Sequence, residues 1–336
     1  MVRLGFVVVA ASLLFGSIAL AAERPVVVTG AGGASLAGTL TMPDQAIGPV
    51  PALLLIQGSG PTDRDGNQPP GRGTDLIKQL AAFLEQRGIA SLRLDKRGMH
   101  ANKAQMPLDQ AQMATFFQWT NFVGDAVAGY RFLASQPGID GTRTGILGHS
   151  EGGMLALELS VATAADHPPA LLILASTPGR PGDQVLREQI AGLLVRQKAT
   201  PAAADFFMAA TDRIQAGLRA SDAAPTDVPP GLAALFPAYL APFLHQEYQL
   251  DPAKAAAGFA GPVLILQGGS DRQVSAERDA PALDRALASR RPDDHLLVVV
   301  PDVGHPLKPF EDGPGGPIAP GVLAALGPWL DRHWAP

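Results

Sequence analysis

The chain has 336 residues, 46% of them hydrophobic and 17% charged, a balance apolar enough to bury a core and one that excludes a disordered chain. Its formal net charge is −5 and no basic run reaches five residues, so no nucleic-acid footprint is visible. The absence of cysteine excludes disulfides, a thiol nucleophile and thiolate metal sites.

The N-terminus reads as a separate object. Met1-Val2-Arg3 is a short basic start, residues 4–20 are apolar and small, and Ala19-Leu20-Ala21 has the small-x-small pattern of a cleavage site. Residues 1–21 are therefore expected to be a signal peptide, cut after Ala21 or Ala22, leaving an exported protein, periplasmic or secreted, without stable membrane insertion. An uncleaved anchor is the alternative, since the run is near the lower limit for spanning a bilayer.

Beyond it, short apolar runs alternate with helical patterns. Residues 26–29 and 36–42 are predicted antiparallel edge strands joined by Gly30-Ala31-Gly32-Gly33. Residues 52–57, 89–95, 143–147, 170–175, 263–267 and 296–300 are short and apolar on both faces, as suits a parallel sheet covered on both sides. Helical periodicity marks 75–87, 122–135, 151–164, 276–289 and 321–334. The alternation implies a doubly wound, mostly parallel α/β sheet.

Residues 177–261 contain no strand pattern and are too long for a loop, so they are expected to form a helical cap (178–261) between strands 6 and 7. Its helices are predicted at 184–198, 202–219 and 232–248. The core would then comprise 22–177 and 262–336. The cap's apolar pieces, among them Leu235-Phe236 and Phe243-Leu244, either line a pocket over the sheet or pack the cap itself.

Gly148-His149-Ser150-Glu151-Gly152-Gly153 follows a predicted strand and opens a predicted helix. A serine on such a sharp turn projects its hydroxyl above the sheet, and side chains two before and two after it would collide, hence the glycines. Ser150 is the expected nucleophile. It needs a base. His305, just after the last strand, leaves from the same C-terminal sheet edge, and His100, after the fourth strand, is its competitor. His149 is expected to point away from the serine. Asp271, after the penultimate strand, is the expected orienting acid, with Asp302 as the nearer but turn-forming alternative. The expected oxyanion donors are the backbone N–H groups of Glu151 and of Ser59 in Gln57-Gly58-Ser59-Gly60-Pro61. Asp95 and Arg97 form either a buttressing charged pair or a plain surface pair. The oxygen-rich Asp63-Arg64-Asp65-Gly66-Asn67 reads as a structured turn, because it lacks the distal glutamate of a calcium loop.

Together, Gly58-Ser59-Gly60-Pro61-Thr62-Asp63-Arg64-Asp65-Gly66-Asn67, Leu94-Asp95-Lys96-Arg97-Gly98, the elbow, Gly-Gly-Ser-Asp271 and Val-Gly-His305 resemble the α/β-hydrolases of the serine-aminopeptidase-like and dienelactone-hydrolase-like branch, often secreted esterases. The chain departs from that pattern at Gln57, where a histidine is common, and at Met99-His100-Ala101-Asn102, where small residues and a serine usually follow. The resemblance implies a serine hydrolase cleaving esters of small or medium acyl groups through an acyl-enzyme, with no cofactor or metal. A small ester or short acyl compound is the implied partner. The alternatives are an aminopeptidase-like serine peptidase, for which Glu247 could hold a substrate ammonium, and a thioesterase. A non-catalytic binding protein on the same fold is more distant.

Overall fold

The apolar runs pair into one eight-stranded sheet, ordered β1-β2-β4-β3-β5-β6-β7-β8. The computed structural model describes residues 22–44, 48–68, 73–288, 294–310 and 315–334, so the expected signal peptide lies outside the described residues. The strands are β1 (Ala22–Thr29), β2 (Ser35–Met42), β3 (Val50–Ile56), β4 (Ala90–Leu94), β5 (Ile139–His149), β6 (Leu172–Ala175), β7 (Val263–Gly268) and β8 (His295–Val300). β1 and β2 form an antiparallel hairpin that joins β4 antiparallel, and the pairings from β4 through β8 are parallel.

The helices are α1 (Leu76–Glu85), α2 (Gln110–Phe116), α3 (Trp119–Ala134), α4 (Glu151–Ala162), α5 (Gly182–Arg196), α6 (Pro201–Ala220), α7 (Ala241–Tyr248), α8 (Pro252–Gly258), α9 (Asp279–Ala288) and α10 (Pro320–Trp334). Successive strand residues face opposite ways, so β3 splits its side chains between two cores. Ala52, Leu54 and Ile56 join the layer containing α3, α4 and α9. Leu53 and Leu55 join the layer containing α1 and α10. Among the described residues no helix is long and apolar enough to cross a membrane.

The interval between β6 and β7 holds α5 to α8. The single helix expected over 232–248 is instead two one-turn 3-10 helices, Pro230–Leu232 and Ala238–Leu240, followed by α7. Proline explains the break: Pro237 caps the second turn, and Pro242 sits in the first turn of α7, where its missing N–H costs nothing. α8 was not expected. It begins at Pro252 behind Asp251, whose carboxylate accepts from the Lys254 N–H at 3.0 Å, and it packs on α4 and α9.

Register places the functional residues. Ile56 lies opposite Gly148, His149 opposite Ala175, and Gly268 opposite Val300. The C-terminal ends of β3, β5, β6, β7 and β8 therefore share one edge, and the loops carrying Ser59, Ser150, Asp271 and His305 all emerge there.

Candidate active site

Ser150 is the residue between β5 and α4, with φ 57° and ψ −125°. A non-glycine residue held at positive φ stores on the order of 1–3 kcal/mol of strain, which the surrounding packing must hold in place. The packing is close enough to do so. A Cβ added at Gly148 would lie 2.2 Å from the Gly152 carbonyl oxygen, and one at Gly152 would lie 2.2 Å from the Ile56 oxygen. Only glycine lets α4 start so near β3 and β5.

His305 and Asp271 meet across the ends of β7 and β8. His305 Nδ1 donates to Asp271 Oδ2 at 2.8 Å. The Asp271 side chain is fully buried and that of His305 is 11% exposed. Gln267 Nε2 donates to the same Asp271 oxygen at 3.0 Å, while the backbone N–H groups of Gln273 (2.7 Å) and Val274 (3.0 Å) donate to the other. One carboxylate thus folds its own loop and holds the imidazole. Burial pushes the Asp271 carboxyl up, but the His305 charge and hydrogen bond and the two amides outweigh it, holding it below the usual carboxylate range. With Nδ1 donating to Asp271, Nε2 is the free ring nitrogen. Ser150 and His305 line one cavity of about 160 Å³ together with Gly58 and Ser59. Among the described residues His305 is bonded through its side chain to Asp271, and no hydrogen bond joins it to the Ser150 hydroxyl.

The alternatives sit elsewhere. His100 Nε2 donates to the Pro61 carbonyl at 2.9 Å. Asp302 holds a turn at φ 57°, its carbonyl accepting from the Phe310 N–H.

The loop after β3 lies against the elbow: a Cβ at Gly58 would be 3.1 Å from Ser150 Cβ. Ser59 lines both cavities that Ser150 lines, and Glu151, the first residue of α4, lines the larger. Among the described residues neither the Ser59 nor the Glu151 backbone N–H has a protein acceptor. Gln57, at the position where histidine is common, donates to the Leu94 carbonyl at 2.8 Å and so ties this loop to the end of β4.

Asp95 and Arg97 do not pair with each other. Asp95 accepts from the Arg64 backbone at 2.9 Å and its guanidinium at 2.6 Å, whereas Arg97 reaches Asp125 at 2.6 and 2.7 Å. Both side chains are almost fully buried. In the Asp63–Asn67 stretch, Asp63 Oδ1 accepts from the backbone of Asp65 and Asn67, and Asp65 binds Arg93 at 2.7 Å. These oxygens are committed to a turn and to ion pairs.

A larger cavity, of about 530 Å³, opens from Ser150 toward the β6–β7 interval. Met99, Phe117, Phe122, Met154, Tyr239 and Phe243 give it apolar walls, and Glu247 of α7 gives it a carboxyl group. Glu247 seats against the first turn of α5, where a Cβ at Gly182 would lie 2.6 Å from its oxygen. Desolvation, with Glu151 and Asp183 adding repulsion, pushes it up to about 8. Among the described residues it has no ion-pair partner.

A model of the Alpha/beta hydrolase family matches residues 69–319. The chain belongs to the alpha/beta hydrolase family. Esterase EstD of Thermotoga maritima is 26% identical over 283 residues, 84% of this chain, and the chain spans 59% of that relative's length. Among solved structures, Est1E from Butyrivibrio proteoclasticus aligns with a TM-score of 0.58 at 16% identity, covering 93% of this chain and 99% of its own. A puromycin-hydrolyzing peptidase of Mycobacterium tuberculosis aligns with a TM-score of 0.57 at 18% identity, covering 94% of this chain and 40% of its own. At these identities the structures share the fold of an alpha/beta hydrolase.

Two residues of this alpha/beta hydrolase site escaped the reading of the sequence. His149 does not stand clear of the machinery. Its ring centroid is 4.8 Å from that of His305, and its Nε2 donates to the His305 carbonyl at 2.9 Å. Desolvation, then the His305 charge, push it down to about 3, so it stays neutral. Lys96, between Asp95 and Arg97, reaches under the loop after β3. Its Nζ donates to the Gly58 carbonyl at 2.7 Å and to Glu151 Oε1 at 3.0 Å. Sequence position carried no sign of either contact, since the partners lie 38 to 156 residues away.

Proposed function

We propose that this alpha/beta hydrolase is a serine carboxylic ester hydrolase acting through an acyl-enzyme. The observation that carries the reading is the His305 Nδ1 to Asp271 Oδ2 bond at 2.8 Å beside a strained Ser150. His305 Nε2 takes the Ser150 proton as the hydroxyl attacks the ester carbonyl, and Asp271 stabilises the imidazolium. The N–H groups of Ser59 and Glu151 hold the tetrahedral oxyanion, each such donor being worth about 3 kcal/mol. His305 then protonates the leaving alcohol, and water, activated by the same imidazole, releases the acid. The cavity of about 530 Å³ suits a small or medium acyl group, with residues 178–261 as its cap. The similarity to EstD supports ester chemistry. Export, with residues 1–21 removed as a signal peptide, belongs to the same proposal.

One observation favours a second reading, an aminopeptidase-like enzyme. Glu247 faces the cavity with no ion-pair partner among the described residues, as a seat for a substrate ammonium would. A panel of p-nitrophenyl esters, thioesters and aminoacyl amides tests both. The ester reading expects turnover of uncharged short esters, lost in Ser150→Ala with the fold retained. Turnover of aminoacyl amides alone would replace it with the second, and esterase activity undiminished in Ser150→Ala would overturn it.

A further inference from the structure

We propose that Lys96 is a positioning residue of the oxyanion site, a buried ammonium that polarises and orients the peptide group donating from Ser59 while neutralising the side chain of the other donor residue, Glu151. This rests on the reading of Ser150 as nucleophile.

The Gly58 carbonyl and the Ser59 N–H are the two ends of a single planar amide, and in a trans peptide they point in opposite directions. Lys96 Nζ sits 2.7 Å from the carbonyl end. A positive charge there draws electron density toward the oxygen and leaves the N–H a stronger donor. The same bond fixes the plane of the amide, and so the direction of its N–H. The lysine side chain is 7% exposed, so water screens this effect little.

The second contact answers an electrostatic problem. Glu151 supplies the other expected donor through its backbone N–H. Its own carboxylate, 13% exposed, would repel an oxyanion forming nearby. Lys96 Nζ lies 3.0 Å from that carboxylate and offsets its charge at the donor site. One ammonium therefore touches the peptide group that donates from Ser59, at its Gly58 carbonyl, and the side chain of Glu151. Its neighbours in sequence do not share the task, because Asp95 and Arg97 are taken by Arg64 and Asp125. Asn102 fixes the stretch beneath, its Nδ2 donating to the carbonyls of Asp95 (2.9 Å) and Lys96 (3.2 Å).

A lysine that only balanced a buried charge would be dispensable once that charge were removed. Two variants separate the roles. Lys96→Met removes the ammonium and strands Glu151. Lys96→Met/Glu151→Gln removes both charges together. Four quantities are measured on each: kcat and KM for an uncharged p-nitrophenyl ester, Ki for a trifluoromethyl ketone that forms a tetrahedral adduct, and Tm. A fluorophosphonate identifies the labelled residue in the wild type.

The expected result is a loss of kcat of about 10–100-fold in both variants, less than the ~10²–10³-fold of deleting a whole donor. KM should stay within about threefold, and the ketone Ki should rise in step with the fall in kcat/KM. The double variant should recover Tm without recovering kcat. If the double variant recovers kcat, or if kcat/KM falls while the ketone Ki is unmoved, Lys96 has only a structural role and the inference is overturned. If the wild type is not labelled at Ser150, the reading beneath it fails as well, and the labelling separates that outcome from the failure of Lys96 alone.

Discussion

The sheet edge and the cavity beside it handle polar groups in opposite ways. At the ends of β7 and β8, both Asp271 oxygens are engaged and His305 is held at Nδ1. Across Ser150, in the cavity walled by Phe117, Phe122 and Phe243, Glu247 keeps a carboxyl group with no ion-pair partner among the described residues. A carboxylate saturated at both oxygens fixes one geometry and suits a step common to every substrate. An unsaturated carboxyl in an apolar space is inexpensive only while neutral, and it responds to what enters. On the proposed reading, chemistry and selectivity are thus assigned to different regions.

The largest effect should come from breaking the saturated side. Asp271→Asn is expected to cut kcat by about 10³–10⁴-fold for every ester tested, by removing the charge that supports the imidazolium and disturbing its tautomer. A loss confined to some esters would blur the division. Gly152→Ala drives a methyl group into the Ile56 carbonyl. Overpacking of this kind costs roughly 1–3 kcal/mol, so Tm should fall by several degrees, together with activity, in a thermal melt.

The unsaturated side should answer differently. Glu247→Gln is expected to lower the ratio of kcat/KM for aminoacyl over uncharged esters about 10-fold, roughly the worth of one charge-assisted hydrogen bond. Its stability profile should change too. Folding raises the proton affinity of Glu247 to about 8 from an ordinary 4.5. The folded state therefore keeps a proton that the unfolded chain releases over that window, and stability falls as pH rises through it. Glu247→Gln should flatten that fall by roughly 2–5 °C of Tm between pH 5 and pH 8.5.

The smallest effect is expected at His149. Loss of its bond to the His305 carbonyl in His149→Asn should lower kcat about 5-fold, in line with one neutral hydrogen bond. The unfolded chain protonates this imidazole near 6.5, the folded one only near 3. Stability is therefore lost as pH falls from 6.5 toward 3, and the variant should lose less of it in an acid titration.

What could be read from the sequence follows the range of the forces involved. The eight strands were legible because each contains a short apolar run that local pattern suffices to mark; the polar openings of β1 (Ala22 to Pro25) and β5 (Ile139 to Thr142) carry no such run and were missed. The elbow was legible because its steric demands fall on Gly148 and Gly152 within five residues. α2 was missed: none of its residues is fully buried, and its apolar face is only Met113 and Phe116, partly buried against the core and too short a pattern to mark a helix. α8 was missed although Asp251-Pro252 is an N-cap followed by a proline, a signal present in the letters. The pairing of Asp95 with Arg97 was wrong because charges next to each other in sequence compete with partners brought in by the fold: Arg64 is 31 residues from Asp95, and Asp125 is 28 from Arg97. The contacts of Lys96 and His149 are of the same long-range kind.

The central claim is that Ser150 is the nucleophile of a serine esterase. It is tested most directly by reacting the purified protein with a fluorophosphonate and mapping the adduct by peptide mass spectrometry. One adduct is expected, on Ser150, formed as ester turnover disappears and absent from Ser150→Ala. An adduct on another residue, or none while turnover persists, would contradict it.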